Sequence, residues 1–199
     1  MREVTPDYQA CSDEELMLRL KEGEDQAFVE LYDRFHLPLY HYFLRVFNND
    51  RMKAEDLLQE FFLKILSRAK TFDPLYKFRN WAFTIAQNMC KNEFRKSHLF
   101  DRKNTFSEND GCITQPEMDQ QLDLDRFMKA LPRALSQLNF DQRTAFLLHY
   151  QAGFKILEIS RIQNCSTGTV KSRLFYACKK LSHLLSAFNP ISTGEFKDE

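Results

Sequence analysis

Apolar side chains recur at helical spacing along the first half of the chain. Ser12 and Glu15 form a capping-box pattern ahead of a short apolar face, and Gly23 suits the end of that helix. From position 26 the apolar residues lie three and four apart, which predicts a long helix with a kink at Pro38. Further helices are predicted in this half at about 53 to 69 and 78 to 96.

The pattern changes at residues 104 to 121, NTFSENDGCITQPEMDQQ, which have no period, few large apolar side chains and many turn formers. Such a segment is typical of a flexible linker. Helical periodicity returns at Leu122, and no strand pattern is found. The predicted helices of this half lie near 122 to 137, 140 to 152, 155 to 163 and 167 to 186.

The pattern therefore predicts an all-α fold in which two small helical domains are joined by a flexible linker. The predicted divisions are a capped N-terminal helix at 1–24, a helical domain at 25–98, an acidic linker at 99–121, a second helical domain at 122–188 and a tail at 189–199.

Composition adds limits to this picture. The chain is 43% hydrophobic and 28% charged, with 19 Phe and only 5 Gly, which favours helices with aromatic cores. The 5 cysteines contain no CxxC pair, so neither a disulfide framework nor a metal site is predicted, and a reducing cytoplasm is the simplest setting. Neither a signal-peptide pattern nor an apolar run long enough for a membrane span is present, so no direct membrane insertion is expected.

The formal net charge is zero, but the charges are unevenly distributed. Acidic residues crowd positions 1 to 33, whereas cations gather at 91 to 103 and at 171 to 180. This asymmetry predicts one surface for an anionic partner and another for a basic one.

The stretch NCSTGTVKSRLFYACKK, at 164 to 180, has the pattern of a turn followed by a capped helix. Ser166 suits the N-cap, Asn164 tolerates a left-handed turn, and Val170, Leu174 and Ala177 form a core-facing stripe. With the short helix KILEISRIQ before it, this is helix-turn-helix geometry, in which the second helix enters the major groove of DNA. Exposed lysines on a capped helix also occur on ordinary solvated faces, and the segment alone leaves both interpretations open.

The segment GFKILEISRIQNCSTGTVKSRLFYACKKL resembles the C-terminal DNA-binding region of bacterial sigma factors of the extracytoplasmic-function (ECF) group. QAFVELYDRF, AEDLLQEFFLKIL and FRNWAFTIAQNMCKNEFRK resemble, in order and spacing, that group's core-binding and promoter-melting domain. The resemblance covers nearly the whole chain except the linker and the two ends. It implies a specificity subunit that binds core RNA polymerase and directs promoter-specific transcription initiation. It implies no catalytic residue, metal, cofactor or small-molecule substrate.

The resemblance also assigns a surface to the polymerase. In the family, the residues matching Asp56, Gln59 and Glu60 meet a coiled coil of the largest polymerase subunit. Carboxylates suit a basic partner, and these three residues lie away from the leucine and phenylalanine stripe of their helix. Without the resemblance, they would be interpreted as a solvated helix face.

For the minus-ten promoter element, the resemblance implicates the loop at 71–77 and the helix after it. The candidate DNA-binding residues are Tyr76, Arg79, Asn80, Asn88, Lys91 and Arg95. Phe72, Phe78 and Trp81 are further candidates for stacking on an extruded base, although Trp81 suits the core better. Gln87 replaces a usual arginine, and Asn92 and Glu93 replace a common acid–base pair. These departures predict a weaker grip on phosphate.

For the minus-thirty-five element, Lys171, Ser172, Arg173 and Tyr176 are the candidates for groove contacts. Thr167, Thr169 and Lys179 are predicted to contact the DNA backbone, and Phe175 either touches a thymine methyl or packs on its neighbour helix. Lys155, Ile156 and Leu157 replace a more polar start to the first helix, a stickier surface suited to the polymerase flap or an inhibitor.

Many relatives in this group are held silent by an anti-sigma factor, so the predicted partners are core RNA polymerase, promoter DNA and an anti-sigma factor. The linker is either a tether or a strand that enters the nucleic-acid path of the polymerase. The alternative function is a stand-alone helix-turn-helix transcriptional regulator whose N-terminal half dimerises or binds an effector.

Overall fold

The computed structural model describes residues 7–101 and 120–188, and it describes side chains for 7–96 and 126–188. These residues form helices and connecting turns, with no strand among them. The α-helices are α1 (Asp13–Lys21), α2 (Asp25–Val46), α3 (Arg51–Arg68), α4 (Phe78–Asp101), α5 (Gln120–Ser136), α6 (Phe140–Phe146), α7 (Ile156–Ile162) and α8 (Thr167–Leu184). The all-helical prediction is confirmed for this part of the chain.

Two boundaries of the predicted linker differ from the structure. Helix α4 continues to Asp101 and α5 already begins at Gln120, so both ends of the predicted linker are helical. The rest of the linker, at 102–119, and the tail at 189–199 lie outside the described residues. We call residues 7–101 the N-terminal block and residues 120–188 the C-terminal block.

Local sequence signals set the helix ends of the N-terminal block. Ser12 and Glu15 make the predicted capping box at α1, with the Ser12 amide donating to the Glu15 carboxylate over 2.7 Å. Helix α2 is one helix with Pro38 inside it, and it ends at two consecutive asparagines in the left-handed region, Asn48 and Asn49. Asparagine tolerates this conformation better than most residues, so the chain can turn sharply into α3.

Aromatic side chains fill the core of the N-terminal block. Tyr42 and Phe43 of α2, Phe61 of α3 and Phe83 of α4 are almost completely buried. Several of these rings meet edge to face, such as Tyr42 and Phe83 with centroids 5.5 Å apart. This geometry favours aromatic pairs, and it orients α2, α3 and α4 around one centre.

The C-terminal block contains the predicted helix-turn-helix. Helix α7, the turn at 163–166 and helix α8 pack through buried Ile159, Ile162 and Val170. The Ser166 side chain caps α8 by accepting from the Thr169 amide over 3.1 Å, and Asn164 has a φ of 49° in the turn. Both positions behave as the sequence predicts.

The two blocks pack against each other. Phe83 of α4 meets Phe154, which precedes α7, with ring centroids 4.9 Å apart, and Phe94 stacks on Phe140 of α6 at 4.8 Å. A polar pair lies beside these rings, since the Gln87 side-chain amide donates to the Thr144 hydroxyl over 3.2 Å. The structure is therefore a closed arrangement in which the blocks share apolar and polar contacts.

A buried arginine closes the same interface. The Arg143 guanidinium donates to the Val46 carbonyl (2.7 Å) and the Asn48 side-chain oxygen (2.9 Å) of the N-terminal block. It also donates to the carbonyls of Ser136 (3.0 Å) and Leu138 (3.2 Å) at the end of α5. Val46 and Ser136 are the last residues of α2 and α5, so the cation lies at two helix C-termini, where the helix dipoles favour positive charge.

No helix within 7–101 or 120–188 combines the length and the apolar character that crossing a membrane requires.

Replacing this arginine tests how much the closed arrangement depends on it. Arg143→Met keeps the aliphatic volume but leaves buried carbonyls without donors, so the free energy of unfolding is expected to fall by about 3 kcal/mol. Urea unfolding followed by circular dichroism measures this change.

Asn48→Gly is the matched control, because glycine adopts the same positive φ and the change removes only one of the four acceptors. Its expected loss is about 1 kcal/mol or less. An Arg143→Met protein with an unchanged urea midpoint would contradict the role given to the guanidinium.

Candidate polymerase and nucleic-acid interfaces

Helix α3 presents the three predicted polymerase-binding residues on its solvent side. Asp56, Gln59 and Glu60 are all exposed, and the Glu60 carboxylate accepts from Lys64 one turn later. The opposite side of α3 is buried, through Leu57, Phe61, Phe62 and Ile65 among others. Burial of that side fixes the rotation of the helix, so the acidic residues face outward as a group.

Leu63 extends this face and was not among the predicted residues. It lies seven residues after Asp56, on the same side of the helix, and is 66% exposed. A large aliphatic side chain with this exposure beside carboxylates makes a mixed surface suited to another protein. The seven-residue spacing from Asp56 was the signal that could have identified it.

Helix α4 carries most of the predicted minus-ten residues along one stripe. Asn80, Asn88, Lys91 and Arg95 follow each other at helical intervals; Asn80 is half-buried and the other three are exposed. Thr84, also half-buried and not predicted, falls in the same row, and its hydroxyl donates to the Asn80 carbonyl over 2.7 Å. Tyr76 is 65% exposed on the loop before the helix. These residues form a continuous polar and basic face that ends in an aromatic ring.

Arg79 is the predicted minus-ten residue whose guanidinium meets the C-terminal block. It donates to the Ala152 carbonyl, and its guanidinium carbon lies 4.2 Å from the centroid of the Phe154 ring. A cation over an aromatic face is attracted by the ring electrons. In the closed arrangement the Arg79 side chain is still exposed, although its guanidinium is bonded to the C-terminal block.

Two aromatic residues suggested for base stacking are buried, and that expectation was wrong for them in this arrangement. Phe72 and Phe78 are 2% and 1% exposed, with ring centroids 5.9 Å apart. Trp81 packs on both rings and is half-buried, which agrees with a core position. The three rings instead pack on one another where α4 begins.

The departures from the family pattern in α4 have structural partners. The Gln87 side chain is buried and accepts from the Tyr42 hydroxyl while donating to Thr144, so it is part of the block interface. Glu93 is bonded to Lys53 of α3 and also to Lys96. The hydrogen bond from Lys53 holds the pKa of Glu93 below its ordinary value, so the carboxylate is ionised at neutral pH and ties α3 to α4.

Helix α8 exposes nearly all of the predicted minus-thirty-five residues. The exposed side chains are Thr167, Thr169, Lys171, Ser172, Tyr176 and Lys179. Val170, Leu174, Ala177 and Leu181 are buried on the opposite side, as the sequence pattern predicts. Phe175 is exposed and meets the Tyr176 ring at 5.4 Å rather than packing on the neighbouring helix.

Arg173 differs from its neighbours on α8. Its side chain is only 20% exposed, and its guanidinium donates to the Asp141 carboxylate of α6 and to the Gln163 side-chain oxygen at 2.8 Å. Cys165 lies 3.3 Å from the same group. These bonds join α8 to α6 and to the turn, so the guanidinium holds the helix-turn-helix together.

The described residues contain no group of three or more His, Cys, Asp or Glu side chains arranged to hold a metal ion.

Two families match the two blocks in the order found here. Sigma-70 region 2 matches residues 31–99, and Sigma-70 region 4 matches residues 128–181. Among curated relatives, the ECF RNA polymerase sigma factor EcfG of Rhodopseudomonas palustris is 34% identical over 143 residues, which cover 69% of this chain and 73% of the relative. The ECF RNA polymerase sigma factor SigX of Bacillus subtilis is 30% identical over 156 residues, which cover 74% of this chain and 78% of SigX.

Solved structures agree with these matches. CnrH in complex with the cytosolic domain of CnrY has a TM-score of 0.66 and 25% identity, covering 88% of this chain and 97% of CnrH. The sigma factor RpoE of Bartonella quintana, in complex with the anti-sigma factor NepR, has a TM-score of 0.63 and 27% identity, and the match covers 80% of this chain and 96% of RpoE. The two matched regions, their order and these relatives agree on one family, and this chain belongs to the ECF RNA polymerase sigma factors.

Proposed function

We propose that this sigma factor binds core RNA polymerase with the outward face of α3 and recognises its promoter with two separate surfaces. The loop at 73–77 and the polar face of α4 contact the minus-ten element, and the exposed face of α8 contacts the minus-thirty-five element. The observation that supports this assignment most is that each surface lies opposite a buried stripe on its own helix. The three faces therefore point to solvent while the helices stay fixed.

At the polymerase surface, Asp56, Gln59 and Glu60 supply polar and acidic contacts, and Leu63 supplies apolar area. Charged groups at the rim of an interface mainly set the association rate and the choice of partner. A buried leucine adds affinity, because its apolar area leaves water. We assign α3 to a basic partner because Asp56 and Glu60 are exposed carboxylates on its outward face.

At the minus-thirty-five surface, Lys171, Ser172 and Tyr176 are the proposed groove contacts, and Thr167, Thr169 and Lys179 are the proposed backbone contacts. The bonds from Arg173 to Asp141 and Gln163 support a change in its role. We now assign Arg173 to holding α8 at the correct angle, because a guanidinium with those partners has fewer donors left for a guanine.

At the minus-ten surface, Tyr76 is proposed to stack on an unpaired base, with Asn80 and Asn88 beside it and Lys91 and Arg95 on phosphate. Stacking on an aromatic side chain contributes about 1–3 kcal/mol per base. Arg79 is exposed beside this surface, and separation of the blocks would free its guanidinium from Ala152 and Phe154. We therefore propose that the closed arrangement belongs to the free protein and that polymerase binds an open one.

An anti-sigma factor is a proposed partner of the closed arrangement. CnrH is bound to the cytosolic domain of CnrY and the Bartonella RpoE to NepR, and both bound chains are similar to this one along most of their length. A partner that binds both blocks at once would favour the packing of Phe83 on Phe154. We place the protein in the cytoplasm, with core polymerase and promoter DNA, where it acts by binding and not as an enzyme.

Reconstitution with core RNA polymerase tests the proposed function. The expected result is a complex that starts transcripts at a discrete site on fragments selected from a randomised promoter library. The stand-alone regulator predicts the opposite result, a dimer that binds duplex DNA tightly and leaves initiation by the polymerase unchanged.

Charge reversal on α3 is expected to weaken polymerase binding. Asp56→Arg should lower the affinity for core polymerase by about tenfold, because it puts a cation against a basic surface at the cost of about 1.4 kcal/mol. Fluorescence anisotropy of the labelled protein measures the Kd. Asp33→Arg is the control. Asp33 is an exposed carboxylate on α2, so the substitution makes the same charge change on a different helix. Equal losses in both variants would contradict the assignment to α3.

Lys171 and Arg173 are expected to behave differently. Lys171→Ala should weaken promoter binding by the reconstituted polymerase and relax its sequence preference in the minus-thirty-five element, with an unchanged melting temperature. Arg173→Ala should lower the melting temperature by several degrees, because the Asp141 carboxylate and Gln163 lose their donor. Calorimetry measures the melting temperatures, and binding titrations on promoter fragments with substituted minus-thirty-five elements measure recognition. If the Arg173→Ala protein keeps its full stability but loses recognition of one base pair, Arg173 is a groove contact and the positioning role is wrong.

A further inference from the structure

We propose that α1 is a positioning element for the promoter-melting loop at 73–77, and that Glu14 and Lys21 are its positioning residues. The inference rests on the proposed function of that loop. The matched Sigma-70 region 2 begins at residue 31, so α1 lies before the residues that the family match covers. Helix α1 nevertheless contacts both ends of the loop.

Glu14 holds the end of the loop where α4 begins. The Phe78 amide donates to the Glu14 carboxylate over 2.8 Å, across 64 positions of sequence. Phe78 is the first residue of α4, and the residue before it is Lys77, whose side chain has no acceptor and cannot cap the helix. The carboxylate therefore satisfies an amide that the helix leaves free and places negative charge at the positive end of the helix dipole.

Lys21 holds the other end of the loop. Its ammonium group donates to the Phe72 carbonyl and lies 5.8 Å from the centroid of the Phe72 ring. Phe72 is itself buried between Phe78 and Trp81. The hydrogen bond from Lys21 thus fixes the backbone of Phe72, and the contacts with Phe78 and Trp81 fix its ring.

Between these two anchors the loop is a closed turn. The Leu75 amide donates to the Asp73 carboxylate over 3.0 Å, and the Tyr76 amide donates to the Asp73 carbonyl over 3.1 Å. Leu75 is 90% exposed and Tyr76 is 65% exposed. A fixed backbone that carries two exposed large side chains loses little entropy when a base binds, so the anchors favour base capture.

Helix α1 is rigid enough for this role. Leu16 and Met17 are completely buried against the N-terminal block, and the capping box fixes the first turn. Arg34 of α2 donates to the Asp13 carboxylate and the Cys11 carbonyl, both over 2.9 Å. Glu14 and Lys21 therefore project from a helix that is held at both its start and its buried face.

The test uses reconstituted holoenzyme and a promoter fragment selected by the wild-type holoenzyme, with 2-aminopurine in its minus-ten element. Glu14→Ala and Lys21→Met should reduce promoter opening by about three- to tenfold, the size of effect that loss of a helix cap has on a local equilibrium. The affinity for core polymerase and for a duplex minus-thirty-five fragment should stay within twofold of wild type. Promoter opening by Glu14→Gln should lie between that of wild type and that of Glu14→Ala, because the amide oxygen still accepts from the Phe78 amide but carries no charge.

Glu22→Gln is the matched control, since it removes the same charge from an exposed position at the end of α1. If the Glu14→Ala holoenzyme opens the promoter normally while the Tyr76→Ala holoenzyme fails to open it, the role of α1 is overturned and that of the loop is kept. Equal losses in opening and in polymerase affinity would show a merely structural role and would also overturn it. A wild-type holoenzyme that opens no selected promoter would instead overturn the proposed function of the loop, and the inference with it.

Hydrogen exchange of the free protein tests the anchoring without any promoter. The Phe78 amide should exchange at least tenfold faster in Glu14→Ala, because it loses its acceptor. Unchanged exchange at Phe78 would overturn the inference whatever the transcription result.

Discussion

The closed arrangement of this sigma factor depends on one buried cation. The Arg143 guanidinium is removed from water, and burial lowers its pKa, although a guanidinium stays protonated at any physiological pH. Four oxygens offset the desolvation, two from each block, and two of them are carbonyls at the ends of α2 and α5. Its Nε has no partner among the described residues, so the compensation is nearly but not fully complete. A charge held this way tolerates little sliding between the blocks, because a shift removes the two acceptors that the N-terminal block supplies.

A chain of hydrogen-bonded polar side chains runs from this interface to α8. Tyr42 donates to Gln87, Gln87 to Thr144, and Gln163 donates to the same Thr144 hydroxyl while accepting from Arg173. Gln87 stands where the family usually has arginine. A neutral amide can donate and accept at once in this buried site, whereas an arginine would be a buried charge that can donate but not accept. The departure from the family pattern thus suits the closed packing, at the expense of a cation on α4.

The proposed functional surfaces differ in the contacts that they make with the other block in the closed arrangement. The outward faces of α3 and α8 are exposed in it, and Arg79, although also exposed, is bonded to Ala152 and lies over the Phe154 ring of the other block. The proposed binding of polymerase by α3 and the proposed recognition of the upstream element by α8 therefore need no rearrangement of these helices. The proposed minus-ten surface includes Arg79, whose guanidinium is bonded to the other block, so release of that guanidinium is tied to the free energy of the interface that Arg143, Gln87 and the two ring pairs stabilise.

Much of this protein follows from the sequence alone, because helix formation depends on neighbours within four residues. The periodicity predicts the helices and the outward faces of α3, α4 and α8, and the cap at Ser12, the cap at Ser166 and the turn at Asn164 follow from single side chains. Tertiary structure alone decided what those helices meet. Phe72 and Phe78 are core rather than base contacts, Arg173 is bonded to Asp141, Arg79 lies on the other block, and Glu14 caps a helix 64 positions away. Each of these outcomes depends on which faces of distant helices approach each other, and local periodicity carries no information about that choice.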